Sequence, residues 1–412
     1  MIYTVLFLLA LATSLTIRLW LEHRQIKQVL EHRPAVPAAF EEKISLQAHQ
    51  KAADYTVERT RFGRWEMLYD ALLILMWTLG GGLQAIYNLA NQWGFGELTT
   101  GVITILLLGF ISSLLGLPFS LYRTFSIEAR HGFNRTTRLT YLVDMLKGTL
   151  LALAFGVPLI YLVLWLMQSS GSFWWIYAWA SLLVFSLFIS WAFPTFIAPL
   201  FNKFTPLEQD DLNTAIQNLL DRSGFKSKGI FVMDGSRRSS HGNAYFTGLG
   251  KGKRIVFFDT LIESLTSNQI VAVLAHELGH FKHKHIFKGL IIGAISSLIG
   301  FGILAWLLPK EAFYHGLGVT SVNLTLGLLL FMMVSPLFSF FLNPVSAWHS
   351  RKNEYEADAY AASQSSANDL ITALVKMYED NASTLTPDDL HSAFYDSHPP
   401  ALARINHLQQ LA

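Results

Sequence analysis

Seven apolar stretches, at residues 2–21, 67–90, 101–122, 146–168, 173–200, 287–309 and 322–343, decide what this chain can fold into. Each approaches or exceeds the roughly 20 residues that cross a bilayer as a helix. Backbone in hydrocarbon must satisfy its own hydrogen bonds, which helices do and loops do not. The expected fold is therefore mainly α and polytopic, with seven transmembrane helices. The first stretch lacks the basic start and small-residue cleavage site of a signal peptide, so it reads as a retained anchor. A chain that is 52% hydrophobic and 15% charged, with a mean hydropathy of +0.35, agrees with this reading.

Orientation follows from the basic residues. If the segments alternate, loops 22–66, 123–145, 201–286 and the tail from 344 hold 8, 4, 11 and 4 Lys or Arg, whereas loops 91–100, 169–172 and 310–321 hold Lys310 alone. The excess marks the cytoplasmic side, which leaves the N-terminus outside. The net charge of +2 thus reflects topology and gives no support to nucleic-acid binding. With no cysteine in the chain, disulfides, thiolate zinc sites, a cysteine nucleophile and cysteine lipidation are excluded.

The polar parts form a pattern. Residues 203–226 place Leu212, Ile216, Leu219 and Leu220 at helical spacing and end in a Ser-Gly break, predicting a surface helix. Three β-prone runs follow at 229–234, 241–250 and 253–261, separated by Gly-rich turns. They lead into TSNQIVAVLAHELGHFKHKH, where Thr266 and Gln269 make a capping box. Residues 122–144 read by position as a solvated connector. The boundaries expected are five spans in 1–200, a small α+β, gluzincin-like protease part in 201–286, two spans in 287–343 and a cytoplasmic C-terminal part in 344–412.

HELGH carries the chemistry. On a helix His276 and His280 share a face and can hold one Zn2+, with Glu277 beside the open position. Such a zinc lowers the pKa of bound water towards about 7, and a neighbouring carboxylate can take its proton, so the implied reaction is peptide hydrolysis. A third protein ligand is needed. His283 and Ile286 stand where the extended HExxHxxGxxH form requires Gly and His, so His283 and His285 read as interfacial polar residues. The charged stretch 350–364 offers Glu354 and Asp358 on one helical face, with Glu356 pointing away. One of the pair can bind zinc while the other accepts from a ligand histidine. The 73 residues between His280 and Glu354 are mostly the last two spans, a hairpin that returns Glu354 to the level of the histidines.

In order along the chain, FSIEARHGFNRTT (125–137), RSSHGNAYFTG (238–248), VAVLAHELGHFKHKH (271–285), SRKNEYEADAYA (350–361) and DSHPPALARI (396–405) resemble the type I CAAX prenyl proteases, membrane zinc endopeptidases of the M48 class. The resemblance implies Glu354 as third ligand and Asp358 as the carboxylate that accepts from a ligand histidine. It also implies Asn243, Ala244 and Tyr245 as a strand edge pairing with an extended peptide, and His398 as a donor facing the scissile carbonyl. Arg404 is implied close behind His398, among the substrate-binding residues. A water-filled chamber enclosed by the helices, capped on the cytoplasmic side by the zinc site, is implied too. The compact chain ends in RINHLQQLA without an endoplasmic-reticulum retrieval signal, which resembles a bacterial member in the cytoplasmic membrane, where prenylated substrates are not expected. The expected partners are a peptide or protein substrate, membrane-tethered ones included, and the bilayer. Competing readings are a membrane-protein quality-control protease, and a transporter or chaperone with structural zinc.

Overall fold

A computed structural model describes residues 1–247 and 254–412. Among the described residues six helices are long and apolar enough to cross a membrane: Ile2–His32, Glu97–Glu128, Arg138–Ser169, Gly171–Phe201, His285–Leu307 and Leu324–Gln364. A seventh crossing exists when Leu46–Trp77 and Gly82–Asn91, bent by 51° relative to each other, are taken together. The stretch 67–90, expected as one span, therefore contains a break. Its cause is Gly80–Gly82: Gly81 adopts φ +76°, and a Cβ at Gly80 would lie 2.7 Å from the Met76 carbonyl oxygen.

At 1.5 Å per residue the first helix is about 47 Å long, well beyond the roughly 30 Å of hydrocarbon. It is fastened at both ends: Thr4 Oγ1 donates to the Gly316 carbonyl, and the Arg24 guanidinium makes a two-pronged bond to Asp388.

The chain has two main cores. One lies among the spans, built on Phe7, Leu83, Leu164, Tyr314, Leu326 and Leu330. The other lies in the polar part, where Leu212, Ile216, Leu219 and Leu220 pack with Phe257, Leu274 and Leu408. It also takes in Phe40 and Ile44 from the first polar loop. Between the spans an apolar cavity of about 470 Å³ is lined by Leu159, Val163, Phe301 and Phe331, among others.

Among the described residues four strands form one sheet: β1 (Phe204–Pro206), β2 (Ile230–Met233), β3 (Ala244–Thr247) and β4 (Arg254–Phe258), in the order β1-β2-β4-β3. β2 runs parallel to β4, and the outer strands are antiparallel to their neighbours. β1 corrects an expectation, since the surface helix begins at Asp210 and not before Phe204. An edge strand accepts Pro206 because its outward N–H is dispensable. The helix ends as expected, at Gly224 with φ +65°. The third β-prone run ends at Phe258, and Asp259 opens a short helix. The Gly-rich turn expected between β3 and β4 lies outside the described residues.

Residues 122–144 are not a solvated connector. Ile127 and Phe133 are buried. Arg135 N donates to the Arg238 carbonyl and Ser240 N to that of Phe133, with Asn134 bridging antiparallel to Ser239. The segment joins the polar part because its backbone finds partners there.

Candidate metal centre

The helix Ser267–Lys282 carries both histidines. Its first turn is closed by the capping box: Gln269 N donates to Thr266 Oγ1, and Thr266 N donates to Gln269 Oε1. One turn apart, His276 and His280 bring their Nε2 atoms within 3.2 Å. The helix Asn343–Gln364 passes alongside, at an approach only glycine permits: a Cβ at Gly279 would sit 2.8 Å from Ala357 Cα. That closeness delivers Glu354, with Oε2 3.4 Å from His276 Nε2 and Oε1 3.3 Å from His280 Nε2.

Three ligand atoms from two helices thus converge on one point. The 3.2 Å between the two Nε2 atoms, and the 3.3–3.4 Å from each of them to one of the Glu354 oxygens, are close to the separation of about 3.3 Å expected for ligands roughly 2.0–2.1 Å from a tetrahedral zinc. Glu354 Oε2 is buried without a hydrogen bond, between His276 Nε2 at 3.4 Å and Arg404 Nη2 at 3.6 Å, so its lone pairs are free for a metal ion that would meet its charge more closely. His276, His280 and Glu354 therefore fit the group that HELGH implies.

Asp358, fully buried, stands behind His276. Its Oδ1 accepts from His276 Nδ1 at 2.8 Å and from Arg404 Nη2 at 2.7 Å, while Oδ2 accepts from Arg404 Nε at 2.8 Å. The proton is thereby held on Nδ1 of His276, leaving the Nε2 lone pair for a metal. Arg404 was expected at the substrate. Instead its guanidinium is buried behind the ligands, where Asp358 neutralises it and raises its pKa further despite desolvation.

His280 has its own support. Its Nδ1 lies 3.0 Å from His285 Nδ1, and His285 Nε2 lies 3.1 Å from Glu356 Oε2. With Nε2 of His280 turned to the cluster, Nδ1–H donates to His285, whose Nε2–H donates to Glu356. Two expectations change. His285 is a buried partner of a candidate ligand, not an interfacial residue, and Glu356 reaches the site through it although it faces away from Glu354. The chain reversal that folds His285 under His280 depends on Lys284 in the left-handed region, φ 57° and ψ 32°.

Glu277 is half-buried beside this cluster, and burial pushes its carboxyl above the ordinary range. His398 overlooks it, with Nε2 3.6 Å from Glu354 Oε1 and a side chain 63% exposed. Its approach is set from a distance: Arg351 Nη1 donates to the carbonyls of Ser392 and Asp396, and Ser397 Oγ lies 3.0 Å from His398 Nδ1. Asn243, Ala244 and Tyr245 enter β3, the sheet's edge. The Phe246 ring packs 5.0 Å from Phe281, one residue beyond His280, so this edge runs beside the histidine helix. Sequence reasoning missed the roles of Arg351, His285, Glu356 and Gly279; of these only Gly279, inside HELGH, had a motif position that could have drawn attention to it.

Residues 206–412 match the family model described as peptidase family M48, and residues 25–203 match that of the CAAX prenyl protease N-terminal part, with five membrane helices. The chain belongs to peptidase family M48. It is similar to "CAAX prenyl protease 1 homolog" of Arabidopsis thaliana, 36% identical with 90% of each chain covered. It is also similar to the Homo sapiens protein of that name, 32% identical over 97% of this chain and 94% of the relative. The crystal structure of S. mikatae Ste24p superposes with a TM-score of 0.91 at 30% identity, covering 99% of each chain. As an M48 member the chain is an integral-membrane zinc metalloendopeptidase. The resemblance noted in its motifs is thus correct.

Proposed function

We propose that this enzyme cleaves extended peptides at one zinc per chain held by His276, His280 and Glu354. The buried Glu354 carboxylate, with Oε2 beside His276 Nε2 and Oε1 beside His280 Nε2, carries this reading. When bound there, zinc supplies Lewis acidity towards water and the scissile carbonyl. Asp358 and His285 hold the tautomers that aim the two histidines inward. Glu277 acts as general base, its carboxyl raised by burial above its ordinary pKa. His398 donates to the oxyanion that develops on the carbonyl. The free edge of β3 at Asn243–Tyr245 aligns the peptide by backbone pairing. Arg404 braces Asp358, so its contribution to substrate passes through His276.

The division at about residue 200, with the protease part completed by the tail from 344, is part of the same reading. So is its orientation, with the N-terminus outside and the site in the cytoplasm, argued from the basic loops. A bacterial cytoplasmic membrane rests on the compact sequence alone, since the relatives named above are eukaryotic. Their name adds prenylated CAAX peptides to the substrates worth testing.

Glu277→Gln tests the assignment. The amide cannot take a proton, so peptide cleavage should fall by about a hundredfold or more while bound zinc, measured by elemental analysis, stays equal to that of the parent. Full turnover in zinc-reconstituted mutant protein would refute the base.

A further inference from the structure

Beside the first cluster the chain assembles a second. His283, His285 and Glu356 each offer a ligand atom, all within 4.8 Å of one another. His285 Nε2 is 3.1 Å and His283 Nδ1 3.8 Å from the same carboxylate oxygen, Glu356 Oε2. The two imidazoles are nearly parallel, 16° apart, with their centroids at 5.5 Å. Two imidazoles and a carboxylate form a donor set suited to zinc and similar divalent ions. His283 is 40% and Glu356 34% exposed at the side chain, so solvent gives an ion direct entry, whereas His285 is 4% exposed and fixes the inner wall.

We infer that His283, His285 and Glu356 form a second, weaker site for a divalent cation of the zinc class, and that filling it inhibits the enzyme. The order of filling follows from the residues. Glu354 is buried with an orphaned oxygen, whereas Glu356 is part-exposed and already satisfied by His285.

Inhibition follows from the protons. In the singly loaded enzyme His280 donates Nδ1–H to His285 Nδ1, and His285 donates Nε2–H to Glu356. A second ion needs the lone pair on His285 Nε2, and the proton displaced from there moves to the ring's other nitrogen, Nδ1. Two N–H donors then face each other across 3.0 Å, and no proton is left over. His280 must give up the bond that orients it. Loss of such an outer partner typically costs about 10–100-fold in metal affinity or activity. Nothing in the HExxH arrangement itself requires a metal-binding side chain at 283, and His283 touches His285 through its ring face alone.

This inference rests on His276, His280 and Glu354 being the first site, and the experiment separates the two. Full-length protein in detergent, stripped by a chelator, is titrated with zinc alone, reading bound metal by equilibrium dialysis and cleavage of a fluorogenic peptide in parallel. The parent should become active with one equivalent, then take up a second in excess zinc as activity falls by about tenfold or more. His283→Leu and His283→Gln should bind only one equivalent, keep the activity of the singly loaded parent and resist excess zinc. Glu354→Ala should lose the tight equivalent; if it does not, the first assignment fails whatever happens at the second. A parent that never exceeds one equivalent overturns the second site, as does a His283 variant that still binds two or is inhibited over the same zinc range. A second equivalent bound without loss of activity overturns the coupling.

Discussion

His398 looks onto the metal cluster without joining it, 3.6 Å from an oxygen of Glu354 and largely exposed. In the proposed role it donates to charge that develops during the reaction. His398→Ala should therefore lower kcat by about 2.7–4 kcal/mol, roughly 10²–10³-fold, with zinc content unchanged. Elemental analysis beside kcat decides it, since loss of zinc would make His398 a ligand or a prop. Next to Pro399 and Pro400 it reads in isolation as a turn residue, because what aims it is Arg351, 47 residues earlier, holding the Asp396 carbonyl. Arg404 was misplaced for a related reason. Burying a guanidinium is expensive unless a carboxylate meets it, and only the folded chain shows that Asp358 does so with both oxygens. His276, His280, Glu354 and Asp358 were readable because four-residue spacing on a helix is a local signal. The chain His280–His285–Glu356 was not, since it turns on the left-handed residue Lys284 between two helices.

Between elements, the decisive approach is that of Ser267–Lys282 to Asn343–Gln364. Gly279 faces backbone, with Ala357 Cα at 2.8 Å and its carbonyl oxygen at 3.0 Å from an added Cβ, so no side-chain rotation can relieve a methyl group there. Gly279→Ala should push the helices apart and draw Glu354 away from His276 and His280. A misplacement of about 1 Å costs about a hundredfold in rate, so cleavage should drop on that order, with weaker zinc retention in equilibrium dialysis. Unchanged activity and metal affinity would show that the two helices can separate without opening the site. At this scale the sequence was read well where patterns are local. The amphipathic helix ending at Gly224, the capping box and three of four strands stand where periodicity and turn residues put them. β1 was missed because three residues carry no period, and its pairing with β2 is what defines it. The kink at Gly80–Gly82 went unread because hydropathy averages over it.

For the whole molecule, the shared metal centre requires the last two spans to form a hairpin, so that both polar segments lie on one side. The sheet, the histidine helix and the C-terminal helices do share one core, as Leu274, Leu370 and Leu408 show. Which side of the membrane that core occupies depends on the loop charges, 27 basic residues against one. The chain has no cysteine, so single substitutions report without background. Gln209, Ala312 and Gln410 are exposed and lie, in turn, before the sheet, between the last two spans and near the end of the chain. An impermeant thiol reagent applied to intact cells should modify Ala312→Cys and neither Gln209→Cys nor Gln410→Cys; all three should react after permeabilisation. Outside labelling of both glutamine positions, with Ala312→Cys protected, would invert the enzyme and move its active site across the membrane. Outside labelling of only one of them would separate the two halves of the core, and no metal could then bridge His280 and Glu354.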